Sequence, residues 1–310
     1  MRGVLAAIEE EIKLETFPGC EFAVIDGENV RQFCLGEAAI KPEREVLRPG
    51  CLWDLASVSK VVGVGTYLIN QVIVGDLVLD TPLKALYSDW REETVTIRQL
   101  LTHTSGIDPF IPEREKLGFD GLITAMNHLS VKSDKRFHYT DVNFILLGLM
   151  IEQQTGRNLS DVLQDAVFNR WNMQQTSFGP VVHAVPTDWR LAPGSVHDPK
   201  ARVLGIHCGS AGLFSTLSDL TGFVEGYFAT ESYLALLKDW SANGERRSLA
   251  WALRKDGWLV HTGYTGTFIL MNLRRQQAFI FLSNRVHLRD ERAQWILRRD
   301  ALIEKMITSA

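Results

Sequence analysis

The sequence predicts an α+β fold in which helices flank one antiparallel sheet built from both ends of the chain, with a mainly helical region inserted between them. Two observations predict it: short β-rich runs separated by turn residues occur near both termini, and helical patterns dominate the middle. With 310 residues, 45% of them hydrophobic and 23% charged, the chain suits one large domain or two closely joined ones. This balance excludes disorder, collagen and coiled coils.

The first elements are a helix and a hairpin. Apolar residues at helical spacing over 7–14 predict an amphipathic helix, which Phe-Pro-Gly at 17–19 ends. Two β-rich runs then flank Asp-Gly at 26–27, a dipeptide typical of tight hairpin turns.

The middle of the chain is mainly helical. Helices are predicted over 57–74, 96–102, 142–155 and 158–168, and a loop-rich stretch follows from about 176 to 210. The last section returns to strands. Apolar and aromatic runs at 248–255, 258–261, 267–272 and 277–283 predict an antiparallel meander, closed by a helix over about 290–307.

These elements predict two parts with the active site in the cleft between them. Residues 1–75 and 211–310 would form the sheet domain, and residues 76–210 the mainly helical domain.

Charge and composition bear on partners. The 33 Lys and Arg residues against 37 Asp and Glu leave a net charge of -4, so no nucleic-acid partner is expected. No long uninterrupted apolar run occurs and charges interrupt residues 9–13, so no membrane partner or signal peptide is expected and the location is predicted as cytoplasmic. The four cysteines and the histidines show no metal-ligand spacing, so neither a metal nor a cofactor is expected. The oligomeric state stays open.

One lysine is unusual. The stretch after Leu55 is apolar on every face, which predicts a buried helix, yet Lys60 falls in its first turn. The helix dipole and burial would both lower the pKa of Lys60, and Ser57 lies on the same face three residues earlier. A serine beside a neutral lysine can act as a nucleophile beside its base. Alternatively, Ser57 is a helix cap and Lys60 reaches the surface, and an S-x-x-K match arises by chance about once in a chain this long.

Three further segments, each considered alone, can be interpreted as structural features with no catalytic role. Asp141 could cap the helix at Val142, after a loop tyrosine, Tyr139. The glycines of His-Thr-Gly-Tyr-Thr-Gly-Thr at 261–267 could form a bulge or a turn. The third segment is Arg-Gln-Leu-Leu-Thr-His-Thr-Ser-Gly at 98–106, which alone also supports a structural interpretation.

Taken in order, these segments resemble the serine β-lactamase and penicillin-binding-protein superfamily, and within it the class C-like serine hydrolases and esterases. The resemblance rests on Ser57-Val58-Ser59-Lys60, Tyr139-Thr140-Asp141 and His261-Thr262-Gly263, in the places of the S-x-x-K, Y-x-N and K-T-G elements. It covers about residues 20–285 and implies a β-lactamase/transpeptidase-like fold.

The resemblance also implies a mechanism. Ser57 would form an acyl-enzyme, Lys60 and Tyr139 would jointly exchange its proton, and the backbone N–H groups of Ser57 and Tyr264 would bind the oxyanion. The residues implied for substrate binding are Asp141, His261, Thr262 and Gly263. The implied partner is a small ester, amide or β-lactam-like molecule, with no cofactor.

Three departures from the family pattern are Asp141 for asparagine, His261 for lysine and Ser210 for a histidine common in related chains. A histidine is mostly neutral at neutral pH, so His261 should select carboxylates more weakly and favour neutral esters or amides over β-lactams. Asp141 could both cap its helix and hold a positive charge on Lys60, which would raise the pKa of the lysine and oppose the dipole. If Lys60 stays charged, Tyr139 or the substrate must take the serine proton.

The predicted function is an S-x-x-K serine hydrolase of the esterase or amidase type. A D-alanyl-D-alanine carboxypeptidase-like peptidase is the first alternative, and a catalytically inactive ligand-binding relative is the second. His103 is read as a hydrogen-bonding loop residue, and the natural substrate stays open.

Overall fold

The computed structural model describes residues 1–309, and its main feature is a seven-stranded antiparallel sheet. The strands are β1 (Gly19–Asp26), β2 (Asn29–Ala39), β3 (Glu45–Val46), β4 (Trp53–Asp54), β5 (Ser177–Phe178), β6 (Leu213–Ser215), β7 (Ala252–Leu253), β8 (Trp258–Thr262), β9 (Phe268–Asn272) and β10 (Gln277–Ser283). The order across the large sheet is β3-β2-β1-β10-β9-β8-β7, and β4, β6 and β5 form a small second sheet.

Ten α-helices surround these sheets in the described part of the chain. They are α1 (Arg2–Lys13), α2 (Thr66–Val74), α3 (Leu83–Leu86), α4 (Ile97–Leu101), α5 (Phe119–Asn127), α6 (Val142–Thr155), α7 (Leu159–Leu163), α8 (Pro199–Leu204), α9 (Leu217–Ala229) and α10 (Arg292–Thr308).

The two ends of the chain meet in the middle of the large sheet, as predicted. Strand β1 pairs with β10 so that Phe22 lies opposite Phe281, and β1 also forms the predicted hairpin with β2. Because β1 is central and covered on both faces, its side chains alternate between two cores: Phe22 joins one and Ala23 the other.

The two cores define the layers of the fold. On one face, α1 and α10 cover the sheet with Ile8, Trp295 and Met306, and Phe17 packs edge-on against Trp295 with ring centroids 6.0 Å apart. On the other face, the larger core runs from the sheet into the helices of the middle region. The division of the chain into two domains stays a prediction.

Several sequence interpretations differ from the structure. Helix α9 was not predicted, although Thr216 caps it by accepting a hydrogen bond from the Asp219 amide at 3.2 Å. Helices α3 and α5 were not predicted either, and α8 lies within the stretch predicted as loop. Only β7 within the predicted strand over 248–255 is extended, because Ala250 has a φ of +65° that turns the chain.

The predicted helix over 57–74 forms, but its start is irregular. A 3₁₀ turn (Ala56–Val58) and a π-helical segment (Val61–Gly65) precede α2, and Gly75 ends it with a φ of +89°. By length and composition this helical stretch could cross a bilayer, but most of it is buried inside the protein. Its place in the core accounts for its apolar character.

Candidate active site

Ser57 and Lys60 are in contact at the start of this buried helical stretch. Lys60 is 0% exposed, and its Nζ donates to Ser57 Oγ at 2.9 Å. It also donates to Asp141 Oδ1 at 2.8 Å and to the Ser210 carbonyl at 2.9 Å. All three N–H groups of an ammonium therefore have acceptors, which is the arrangement of a charged lysine.

Asp141 decides the charge of this lysine. Its second carboxylate oxygen lies 3.0 Å from Lys200 Nζ, so the carboxylate bridges two lysines. Burial alone would lower the pKa of Lys60, but the charge of Asp141 overcomes it and raises that pKa above its usual range. Burial likewise opposes ionisation of Asp141, but Lys60 and Lys200 hold its pKa well below the ordinary value. The expectation of a lowered lysine pKa is therefore wrong, and its alternative, a lysine held charged, describes the structure.

The helix cap predicted for Asp141 is also wrong. The carboxylate makes no capping hydrogen bond, because both lysines occupy it. The hydroxyl of Thr140 accepts instead from the Val142 amide at 3.2 Å.

Tyr139 lies beside the lysine, with its ring centroid 5.0 Å from Lys60 Nζ. The tyrosine is 40% exposed, so it borders open space. The buried His103 ring packs against it at 4.5 Å between centroids and accepts from Asn143 Nδ2 at 3.0 Å. His103 therefore fixes Tyr139 in place, which agrees with its reading as a structural residue.

The two backbone N–H groups predicted to bind the oxyanion have no acceptor in the described chain. Within residues 1–309, neither the Ser57 amide nor the Tyr264 amide donates to a protein acceptor. The Tyr264 carbonyl accepts a hydrogen bond from Arg285 Nε at 3.0 Å, which fixes the peptide group that follows Tyr264. Ala56 has a φ of +46°, a strained conformation directly before Ser57. The Asp54 carboxylate stabilises this conformation by accepting a hydrogen bond from the Ala56 amide at 2.8 Å.

The segment after β8 is hydrogen-bonded directly to the turn that precedes Ser57. Thr265 Oγ1 donates to the Asp54 carbonyl at 2.9 Å, and Thr267 Oγ1 donates to the Leu55 carbonyl at 3.0 Å. A Cβ on Gly263 would lie 2.7 Å from the Leu55 carbonyl oxygen, so only glycine permits this approach.

Replacing Gly263 with alanine should therefore push the two backbone donors apart. Loss of one such donor typically costs about a hundredfold or more in rate, so we expect acylation to slow by about that factor while the chain still folds. Stopped-flow acylation with a p-nitrophenyl ester measures it. The control is Gly3→Ala, where a Cβ meets open space. An unchanged acylation rate in Gly263→Ala would show that the close approach of Gly263 to the Leu55 carbonyl does not affect acylation.

His261 and Thr262 line a different pocket from the one that Ser57 borders. His261 is 4% exposed, and neither ring nitrogen has a hydrogen-bond partner in the described chain. Burial, followed by the charge of Lys60, lowers its pKa well below the usual range, so the ring is neutral. Both residues line a pocket of about 320 Å³ together with Tyr139, and Ser57 is not among its walls.

Ser57 itself opens into a larger cleft of about 620 Å³. Its walls are partly apolar, and its charged side chains include Arg114, Asp141, Arg190, Lys200 and Arg292. No group of three or more His, Cys, Asp or Glu side chains in residues 1–309 is arranged to hold a metal ion. The chemistry available here is that of a serine, a charged lysine, a phenol and two backbone donors.

Several residues that hold the site residues in place are not predictable from the sequence. Lys200 lies in a stretch read as loop, and Thr265 and Arg285 have no motif of their own. Each acts through a contact between distant segments, which spacing along the chain does not reveal.

The chain matches the family model described as Beta-lactamase over residues 5–303. It is 23% identical over 350 residues to a putative D-alanyl-D-alanine carboxypeptidase of Escherichia coli O157:H7, covering 87% of this chain and 79% of that protein. It is 21% identical over 361 residues to an N-acetylmuramyl-L-alanine amidase of Bacillus subtilis (strain 168), covering 93% and 81%.

Solved structures show the same fold. A class C β-lactamase superposes with a TM-score of 0.81 at 18% identity, covering 100% of this chain and 97% of that one. This likeness confirms the antiparallel sheet flanked by helices that the sequence predicts. With the family match over nearly the whole chain, it follows that the protein is a member of the β-lactamase family and a serine hydrolase of the wider β-lactamase and penicillin-binding-protein superfamily.

Proposed function

We propose that the protein hydrolyses ester or amide bonds of small molecules through an acyl-enzyme on Ser57. The observation that carries this proposal is the contact of Ser57 Oγ with a buried, charged lysine at the edge of an open cleft. Ser57 Oγ would attack the carbonyl carbon while the amides of Ser57 and Tyr264 bind the oxygen that becomes negative. The bond to the leaving group then breaks, and water later hydrolyses the acyl-serine to release the acid and restore the hydroxyl.

The proton of Ser57 must go to a group other than Lys60. Lys60 already donates all three of its N–H groups, and Asp141 keeps it charged. The positive lysine would stabilise the forming alkoxide, while Tyr139 or the leaving group receives the proton. Tyr139 borders open space beside the lysine, which suits transfer toward a bound leaving group.

A second candidate is peptidase activity on D-alanyl peptides. It is favoured by the relatives, several of which are named as putative D-alanyl-D-alanine carboxypeptidases. An inactive relative that only binds an acyl ligand is the remaining alternative.

Intact-mass spectrometry after incubation with a fluorophosphonate tests the proposal. We expect one adduct, located on Ser57 by peptide mapping and absent from Ser57→Ala. The matched control is Ser59→Ala, since Ser59 is buried nearby but its hydroxyl accepts from the Leu213 amide at 3.2 Å.

The choice of acyl donor separates the alternatives. Turnover of p-nitrophenyl esters supports the hydrolase proposal, and labelling by penicillin but not by esters favours the peptidase. No adduct with any of several acyl donors would contradict catalysis and favour a binding role.

A further inference from the structure

A buried carboxylate at the end of β4 has no cation partner. Asp54 is 3% exposed and forms no ion pair in residues 1–309. The charge of Arg202 acts on it, but the Arg202 guanidinium donates to the Val196 and His197 carbonyls, each at 2.9 Å. Burial of an unpaired carboxylate is unfavourable unless hydrogen bonds satisfy its oxygens. The hydrogen bonds of Asp54 therefore bear on why a carboxylate lies here.

The two carboxylate oxygens of Asp54 accept backbone amides from two different segments. Oδ1 accepts from Ala56 at 2.8 Å, which holds the strained turn directly before Ser57. Oδ2 accepts from His197 at 2.8 Å, in the segment that leads into α8 and Lys200. An asparagine at position 54 would offer one acceptor oxygen, and its NH2 group would meet the N–H of the other segment. A carboxylate can therefore hold both segments at once, and an amide cannot.

The backbone of Asp54 makes a third contact. Its carbonyl accepts from Thr265 Oγ1 at 2.9 Å, one residue after Tyr264, whose amide is the second proposed oxyanion donor. Asp54 thus contacts the segments of both donors and the segment of Lys200, which lies 3.0 Å from the Asp141 carboxylate. Because catalytic groups act only when they are placed accurately, a residue that joins these segments sets the geometry of the site.

We infer that Asp54 is a positioning residue for the Ser57 site: its ionised carboxylate holds the turn that presents the Ser57 amide and the segment that carries Lys200. This inference rests on the proposed acyl-enzyme function and adds a regulation of that site by pH. A protonated carboxyl group gives up part of its acceptor capacity and gains an O–H that needs an acceptor of its own. Acylation should therefore be fast while Asp54 is ionised and slow once it is protonated.

The groups around Asp54 set the pH of this change. Burial raises the pKa of Asp54 to about 6, and the charge of Asp198 adds to the rise. The amides of His197 and Ala56 and the charge of Arg202 lower that pKa, but by less than burial raises it. The His197 ring also lines the cleft, and burial lowers its pKa below the ordinary value, so a variant has to separate its titration from that of Asp54.

Stopped-flow acylation with a p-nitrophenyl ester, followed at the isosbestic wavelength of p-nitrophenol, tests the inference. The wild-type rate constant should fall about tenfold between about pH 7 and pH 5, with one midpoint at about 6. Asp54→Asn should lower the limiting rate constant at neutral pH about a hundredfold and lack this acid limb. The ester concentration that half-saturates acylation should stay within about twofold, because the oxyanion donors act on the transition state.

Two control variants separate Asp54 from other groups. Asp239→Asn changes a carboxylate that also accepts backbone amides, from Ser241 at 2.9 Å and Arg246 at 2.7 Å, but is not among the walls of the Ser57 cleft. It should keep the wild-type rate and pH profile. His197→Asn removes the ring but keeps the amide that Asp54 accepts, so the acid limb should remain. An acid limb that persists in Asp54→Asn, or that disappears in His197→Asn, would overturn the inference.

A measurement without turnover separates this inference from the catalytic proposal, and it needs only the wild type if Asp54→Asn fails to fold. In ¹H–¹⁵N spectra, the Ala56 and His197 amide signals should move together with a midpoint at about pH 6. The inference is overturned if these signals do not titrate, or if they titrate while the acylation rate stays constant over the same range. Amides that titrate in a protein that forms no Ser57 adduct with any acyl donor would instead leave the Asp54 contacts intact and contradict the hydrolase.

Discussion

Replacing Lys60 with methionine should nearly abolish formation of the acyl-enzyme while leaving the protein folded. Methionine fills the buried space without a charge, and Asp141 keeps Lys200 as its partner. The alkoxide of Ser57 would then form without the adjacent positive charge. We expect acylation to fall by about a thousandfold, the scale on which positioned proton-transfer and charged groups act. Time-resolved mass spectrometry of the Ser57 adduct measures this rate.

The control for this variant is Lys116→Met, which removes an equally long, exposed lysine that pairs only with Glu113. Its adduct should form at the wild-type rate. Labelling of Lys60→Met within about tenfold of wild type, with an unchanged melting temperature, would show that Ser57 is activated by some other group.

Changing Asp141 to asparagine should destabilise the protein and make acylation depend on pH. The amide keeps the shape but leaves Lys60 and Lys200 without their shared counter-ion, which we expect to cost about 3 kcal/mol. The pKa of Lys60 should fall, because the charge that raises it is gone. A neutral lysine would then appear as the pH rises and would no longer stabilise the alkoxide, so the acylation rate of the variant should fall as the pH rises.

The contribution of Asp141 to the stability of the wild type depends on pH. The pKa of Asp141 is lower in the folded chain than in the unfolded one, so its contribution is present above about pH 4 and is lost as the pH falls further. Chemical denaturation of the wild type should show this loss on the acid side, and Asp141→Asn should lack it. The control is Asp76→Asn, which changes an exposed aspartate that forms no ion pair in residues 1–309. Equal stability of Asp141→Asn and wild type at pH 7 would contradict the shared-carboxylate description.

The parts of the fold that follow from local pattern were predictable. The β1–β2 hairpin follows from Asp26-Gly27 between apolar runs, and β10 has the predicted bounds. Helix α9 was missed because its apolar sequence contains glycines, and its stability comes from packing on the sheet.

The candidate site was predictable only where its residues are neighbours in the sequence. Ser57 and Lys60 are three residues apart, so helical spacing places them together. The charge of Lys60 is set by Asp141, 81 residues away, and Lys200 shares that carboxylate. The opposing effects of burial and ion pairing on a lysine pKa cannot be ranked until the partner is located.

The ties from Thr265 and Thr267 to Asp54 and Leu55 have a consequence for the newly made protein. They join segments more than two hundred residues apart, and they hold the segment that contains Tyr264 against the turn before Ser57. A nascent chain can carry Ser57 and Lys60 long before the segment containing Tyr264 leaves the ribosome. If Ser57 and the Tyr264 amide act as proposed, such a chain cannot yet stabilise negative charge, so the proposed reactivity requires the second segment to have been made and to have folded against the first.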